Sequence, residues 1–193
     1  MQSVCVFCGS SQGLDPAYTE AARSLGRTLA EANIRLVFGG GHVGLMGVVS
    51  NAALEAGGEV IGVIPRSLVE RELAHAGLTD LRIVGSMHDR KGIRSDLSEG
   101  FITLPGGTGT LEEFFEVLTW AQLGEHEKPC GLLNVAGYYD PLLAVFDHMI
   151  DKGFLSESNR ALVLVESEPE RLLWGLERYQ PPKTAKWIDR SET

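Results

Sequence analysis

A chain of 193 residues with 44% hydrophobic and 22% charged content suits one globular domain with a sizeable core and argues against wholesale disorder. Its formal net charge of −9 and isoelectric point of about 5.0 disfavour a broad phosphate-backbone footprint, so no nucleic-acid partner is expected. No segment approaches the roughly 18 apolar residues that span a bilayer, and the start MQSVCVFCGSSQG has no basic leader region, so a cytoplasmic protein without a membrane partner is expected.

Apolar runs alternate with helical patterns along the chain. Residues 4–8 read as a strand, and 16–32 as an amphipathic helix with Asp15 as cap and Pro16 in the first turn. Residues 34–38 form the next expected strand, broken by three glycines, with a helix over 45–56 that ends at a glycine pair. A third strand over 60–64 stops at Pro65, and 66–80 reads as irregular or short helix. Then come a strand at 81–84, a helix at 87–98, a strand at 101–104 and a helix opening in PGGTGT. Strands at 130–135 and 162–165 are each followed by a helix, over 141–152 and 169–179. Short runs rich in Val, Ile and Leu, each followed by a crossover helix, predict strands buried on both faces. The expected fold is α/β: a Rossmann-like doubly wound parallel sheet with helices on both faces. One nucleotide-binding domain over residues 1–180 is expected, with an aperiodic tail over 181–193 that contains Trp187.

Three cysteines fit a reducing compartment. Cys5 and Cys8 form a lone C-x-x-C with Cys130 far away; both lie in a predicted strand, so they read as small buried hydrophobes rather than a redox pair or zinc site. The five histidines, His42, His88 and His126 among them, show no ligand spacing, and no metal is expected.

In a doubly wound sheet, ligands sit beyond the carboxyl ends of the strands. Four strand tips are rich in small, polar or basic residues: Gly9-Ser10-Ser11, GGGHVGLMG with Gly40 and Gly41, GSMHDRK, and PGGTGT with Gly106. GGGHVG contains the dinucleotide spacing G-x-G-x-x-G at Gly39, Gly41 and Gly44. It follows the second strand, however, and the acidic residue about twenty positions on, Glu59, opens the next strand instead of closing it. An NAD site is therefore disfavoured, and no Lys-Ser/Thr pair follows the glycines to make a nucleotide-hydrolysing loop.

PGGTGT carries more information. Its glycines allow a tight turn that exposes successive N–H groups at the positive end of a helix, which favours a phosphate. Thr108 and Thr110 add hydroxyls. Thr110-x-x-Glu113 is also a capping box, in which Glu113 only ties off the helix start, and the two roles stand side by side. On a helical wheel Leu111, Phe114, Phe115, Val117, Leu118 and Ala121 form one apolar arc. Glu112, Glu113, Glu116 and Thr119 fall off it, with Trp120 close to Glu113. Arg90 and Lys91 place positive charge on the neighbouring tip.

Together these residues resemble the lonely guy family, cytokinin riboside 5′-monophosphate phosphoribohydrolases whose members were long labelled lysine decarboxylases. The resemblance runs from CVFCGSS through GGGHVGLMG, VIP, RE, MHDRK and PGGTGTLEE to TWAQLGEHEKPCGLLNVAGYYDPLL, most of residues 4–155. It implies a homodimeric hydrolase of nucleoside 5′-monophosphates, AMP and cytokinin riboside monophosphates, releasing free base and ribose 5-phosphate. No cofactor is implied. It further implies Arg90 and Glu113 as the catalytic pair. Implied substrate contacts are Glu72, Lys91, Gly107, Thr108, Gly109, Thr110, Leu111, Glu112 and Thr119. The chain departs from the family's usual pattern at Arg94, often Met, at Ser98-Glu99-Gly100, often Ser-Asp-Ala, and at Thr108, often Tyr. A non-catalytic nucleotide-binding module shares every glycine. A pyridoxal-phosphate decarboxylase would need a Schiff-base lysine, and of five lysines only Lys91 lies in a candidate site.

Overall fold

The structure, a computed structural model, describes residues 1–69 and 74–182. Glu72 and the tail from residue 183, Trp187 included, lie outside the described residues.

Seven strands form one parallel sheet: β1 (Ser3–Phe7), β2 (Arg35–Phe38), β3 (Val60–Pro65), β4 (Asp80–Val84), β5 (Phe101–Thr103), β6 (Cys130–Leu133) and β7 (Val163–Glu166). Their spatial order is β4-β3-β2-β1-β5-β6-β7, the doubly wound arrangement expected. The helices are α1 (Pro16–Glu31), α2 (Gly44–Glu55), α3 (Arg66–Val69), α4 (Met87–Asp96), α5 (Thr108–Leu123), α6 (Asp140–Asp151), α7 (Glu157–Arg160) and α8 (Pro169–Glu177).

The period of two in β1 sorts its side chains between two layers. Val4, Val6 and Cys8 pack with Leu25 and Leu29 of α1, Val49 of α2 and Leu172 of α8. Cys5 and Phe7 point to the opposite face, with Phe101 and with Val117 of α5. The Phe7 and Phe101 rings stack with centroids 5.9 Å apart. Burying each such Leu or Phe side chain stabilises the fold by roughly 1.5–3 kcal/mol. All three cysteines are buried and free, and burial pushes the Cys5 and Cys130 thiols up to about 12. The α1 start is as the sequence predicts: Asp15 accepts from the Ala17 N–H at 2.9 Å, with Pro16 in the first turn.

Boundaries differ where side chains intervene. β6 stops at Leu133, two residues before the expected end. Asn134 accepts from the Tyr139 N–H and donates to Asp140, both at 2.7 Å, which curls Val135–Gly137 into a 3-10 turn. The short α7 goes unforeseen in the sequence; the Ser156 hydroxyl caps it by accepting from Asn159 N–H at 3.1 Å. α4 ends at Asp96 rather than 98.

The chain reverses its direction of travel across the sheet between β1 and β5, so a crevice opens beyond their carboxyl ends. Among the described residues no helix is long and apolar enough to cross a membrane.

Candidate active site

The PGGTGT segment leaves β5 at this switch point. Its approach is fixed by Leu104 N–H to Phe7 carbonyl at 2.9 Å and Gly9 N–H to Pro105 carbonyl at 3.0 Å. Two tyrosine hydroxyls hold it from beneath, Tyr139 on the Leu104 carbonyl at 2.7 Å and Tyr138 on the Gly106 carbonyl at 2.6 Å. Gly107 is the helix cap, and no side chain caps α5. The first bond within the helix runs from Leu111 N–H to Gly107 carbonyl at 3.1 Å. The N–H groups of Thr108, Gly109 and Thr110 therefore precede the helix ladder and are available to an anion, at the positive end of a 16-residue helix.

This geometry removes the capping-box alternative. Thr110 is the third residue of α5 and nearly fully buried, so it is not the cap, and Glu113 lies beyond the first turn. Glu113 turns instead toward α4. Its Oε1 accepts from Arg94 Nη2 at 2.6 Å and lies 3.9 Å from Arg90 Nη1.

Arg90 is pinned by backbone. Its Nε donates to the Val63 carbonyl at 3.0 Å and its Nη2 to the Gly39 carbonyl at 2.8 Å, leaving the Nη1 edge toward Glu113. The first glycine of the fingerprint thus serves the protein rather than a dinucleotide: a Cβ on Gly39 would collide with the Arg90 guanidinium. Gly44, at φ +60°, abuts the backbone of Ser10 and Ser11 and brings the start of α2 against the β1 tip. Burial, then repulsion from Arg94, lowers the Arg90 pKa to about 10, which leaves it cationic at neutral pH. For Arg94 burial also opposes the charge, but the Glu113 carboxylate, with Cys5 and Glu116, outweighs it and holds the pKa above the usual guanidinium value.

These groups line a cavity of about 450 Å³. Gly107, Thr108, Gly109, Thr110, Glu112 and Glu113 form one wall, and Ser10, Gly41 and Arg90 the facing side. Met46, Ile64, Leu68 and Met87 supply apolar lining, and Cys8 borders the cavity too. Gly9 and Gly106 line a second hollow of about 280 Å³ with Tyr18 and Tyr138; it shares Ser10 and Gly107 with the first. Among the described residues, the remaining expected contacts lie off the cavity. Gly40, at φ +74°, packs against Ile64. Leu111 is half-buried against the core of α5 and α6. Thr119 is exposed and donates to the Phe115 carbonyl at 2.6 Å. Lys91 bridges to Glu112 and to Glu116, the latter at 3.2 Å, tying α4 to α5 at the rim. Glu59 pairs with Arg35 at 2.9 Å at the amino ends of β3 and β2, the wrong end of the sheet for a ribose.

Arg94 is the functional neighbour that sequence reasoning placed only as a departure from a family pattern. Its position four residues after Arg90 sets both on one face of α4, a spacing that could have paired them. The apolar lining from Met46, Ile64, Leu68 and Met87 carried no sequence signal, because four different elements, α2, β3, α3 and α4, supply one residue each.

Fold and crevice alone make the chain a Rossmann-like α/β protein that can hold an anion at its switch point. Residues 46–176 match the family described as "Possible lysine decarboxylase". The chain is 49% identical over 178 residues to a cytokinin riboside 5′-monophosphate phosphoribohydrolase of Arabidopsis thaliana, covering 92% of this chain and 83% of that one. It is 51% identical over 165 residues to the enzyme of the same name from Rhodococcoides fascians, covering 85% and 83%. The chain belongs to this family, the lonely guy family anticipated from its motifs. Among solved structures, the molybdenum cofactor binding protein of Rippkaea orientalis superposes with a TM-score of 0.69 at 22% identity, covering 92% of this chain and 96% of that one; the likeness is one of fold.

Proposed function

We propose that the protein hydrolyses the N-glycosidic bond of nucleoside 5′-monophosphates, AMP and cytokinin riboside monophosphates among them, to free base and ribose 5-phosphate. The observation that carries this is the placement of Glu113 one helical turn past an uncapped, anion-receptive helix start, in the same cavity. Relatives near 50% identity that bear this activity in their names support it.

The 5′-phosphate takes the N–H groups of Thr108, Gly109 and Thr110, with Ser10 opposite. Cleavage of the C–N bond builds positive charge on the ribose ring, as in glycoside hydrolysis. The Glu113 carboxylate faces that charge and accepts a proton from the attacking water. The base lies between Met46, Ile64, Leu68 and Met87, a slot apolar enough for a purine. The leaving base carries negative charge unless it is met by a cation or a proton, and the Nη1 edge of Arg90, beside Glu113 and held only by a 3.9 Å contact with the Met87 sulfur, meets it. Binding energy at the remote phosphate orients the reacting centre.

The older family description implies pyridoxal phosphate, and the residues do not fit that group. Among the described residues no lysine lines the cavity. Lys91 is held outside it by Glu112 and Glu116, whose hydrogen bonds and charge outweigh the effect of burial and raise its pKa, the opposite of what a Schiff-base nucleophile needs.

The same reading includes one domain over residues 1–180, a cytoplasmic location consistent with three free thiols, and a homodimer. The dimer reading is supported by Leu123, 41% exposed on α5 beside half-buried Trp120. Incubation with AMP, GMP, CMP and isopentenyladenosine 5′-monophosphate, with free base quantified, tests the reaction. Base release from the adenine nucleotides is expected. Binding without release from any of them would return the protein to a nucleotide-binding module.

A further inference from the structure

We propose that Arg94, buried behind the cavity, is a positioning residue: it takes the Glu113 carboxylate as its own partner, so that Arg90 keeps an edge free for the substrate. The inference rests on the hydrolase reading above and assigns the two arginines of α4 separate tasks.

The distances divide the labour. Glu113 Oε1 is 2.6 Å from Arg94 Nη2 but 3.9 Å from Arg90 Nη1, so one guanidinium holds the carboxylate and the other stands off. Among the described residues, no hydrogen bond engages Glu113 Oε2, which leaves that oxygen for the sugar or the attacking water. Arg94 does not line the cavity and is 2% exposed, so it reaches substrate only through Glu113. Arg90 does line it; its Nε and Nη2 are committed to the Val63 and Gly39 carbonyls, and its Nη1 makes only a long 3.9 Å contact with the Met87 sulfur. Were Glu113 to draw Arg90 into a close pair, that lightly held edge would be lost.

The fold itself gives Arg94 little reason to be there. Its guanidinium lies over the Phe7 ring at 5.3 Å, and among the described residues its Nε has no hydrogen-bond partner. A buried ion pair with an unpartnered donor stabilises a core less well than an apolar side chain of the same length. The ring face and one carboxylate oxygen hold the group where the carboxylate must be fixed. Two guanidiniums around Glu113 give that trio one net positive charge, which balances Glu112 on the cavity lining where Arg94→Met would leave the site net negative toward an anionic substrate. A methionine, common at this place in the family, would fill the space but release Glu113 to Arg90.

The test compares wild type, Arg94→Met and Arg94→Lys for base release from AMP, with thermal unfolding measured in parallel. Because Glu113 borders the cavity and can be solvated there, Arg94→Met is expected to stay folded. Its kcat is expected to fall about tenfold while KM changes less than threefold. Arg94→Lys is expected to recover part of the loss, since it restores the charge without the fork. In a Glu113→Gln background, Arg94→Met is expected to have no further effect on the residual rate. Arg94→Met with wild-type kcat, a loss confined to KM, or a loss matched by unfolding at assay temperature with no recovery in Arg94→Lys overturns the positioning role while the hydrolase reading stands. A wild-type protein that releases no base from AMP overturns both.

Discussion

Gly39 and Arg90, fifty-one positions apart, occupy one space: the Arg90 guanidinium donates to the Gly39 carbonyl at 2.8 Å and fills the volume where a Cβ would lie. The glycine run after β2 therefore seats an arginine rather than a pyrophosphate. Gly39→Ala is predicted to push the guanidinium off its carbonyl and lower kcat/KM for AMP about 10²-fold, because small misplacements of an oriented group are costly. Circular dichroism and melting should show a folded protein. Full activity in Gly39→Ala would remove Arg90 from the mechanism.

Gly109 makes the complementary case. A Cβ added there meets nothing within 4 Å, and the residue is second in α5, so Gly109→Ala should match or exceed wild-type stability, by up to about 1 kcal/mol in urea unfolding. Side chains of a helix lean toward its N-terminus, so the added methyl crowds the anion site. KM for AMP is expected to rise roughly tenfold. An unchanged KM would move the phosphate away from this helix.

Tyr139 donates to the Leu104 carbonyl at 2.7 Å from a fully buried position, just before the phosphate turn. Tyr139→Phe leaves that carbonyl short of a donor and should cost about 1–2 kcal/mol in chemical denaturation. Since the Gly9 N–H still holds the Pro105 carbonyl, kcat should stay within a few-fold of wild type.

His126 predicts a pH dependence of stability. Its Nδ1 accepts from the Lys128 N–H at 3.1 Å and its Nε2 lies 3.0 Å from the Val117 carbonyl, so both nitrogens are used by the neutral ring. Burial, then the Lys128 charge, lowers its pKa below 6.5 against the opposing pull of the carbonyl. The unfolded chain thus binds the proton first. The stabilisation is complete above about pH 6.5 and is lost as pH falls through the lowered native value. Denaturation midpoints at pH 7.5 and 5.5 should differ more for wild type than for His126→Gln. Equal differences would show that this ring does not titrate with folding.

Much of this was legible from pattern. Short Val/Ile/Leu runs between amphipathic helices mark a parallel sheet because both faces of each strand are covered, and all seven strands are where that pattern put them to within two residues. The PGGTGT turn was legible because its glycines allow a tight turn that exposes N–H groups at a helix start. What pattern could not settle was direction. Thr110-x-x-Glu113 spells a capping box, and only the true cap at Gly107, three residues earlier, turns Glu113 away from it. Nor could Gly39 be matched with Arg90, since the contact joins the ends of separate strands and helices across the crevice. Arg94 was visible as an oddity, yet its partner is set by how α4 packs against α5, which a single sequence does not state.

The central claim concerns the Glu113 carboxylate, and Glu113→Gln tests it most directly because the substitution keeps the size and removes the charge. Base release from AMP, followed by chromatography, should fall by about 10³-fold or more while the variant stays folded at assay temperature and still binds ribose 5-phosphate, its melting temperature lowered by the lost Arg94 pair. A folded Glu113→Gln protein that frees adenine at a rate near wild type would contradict it.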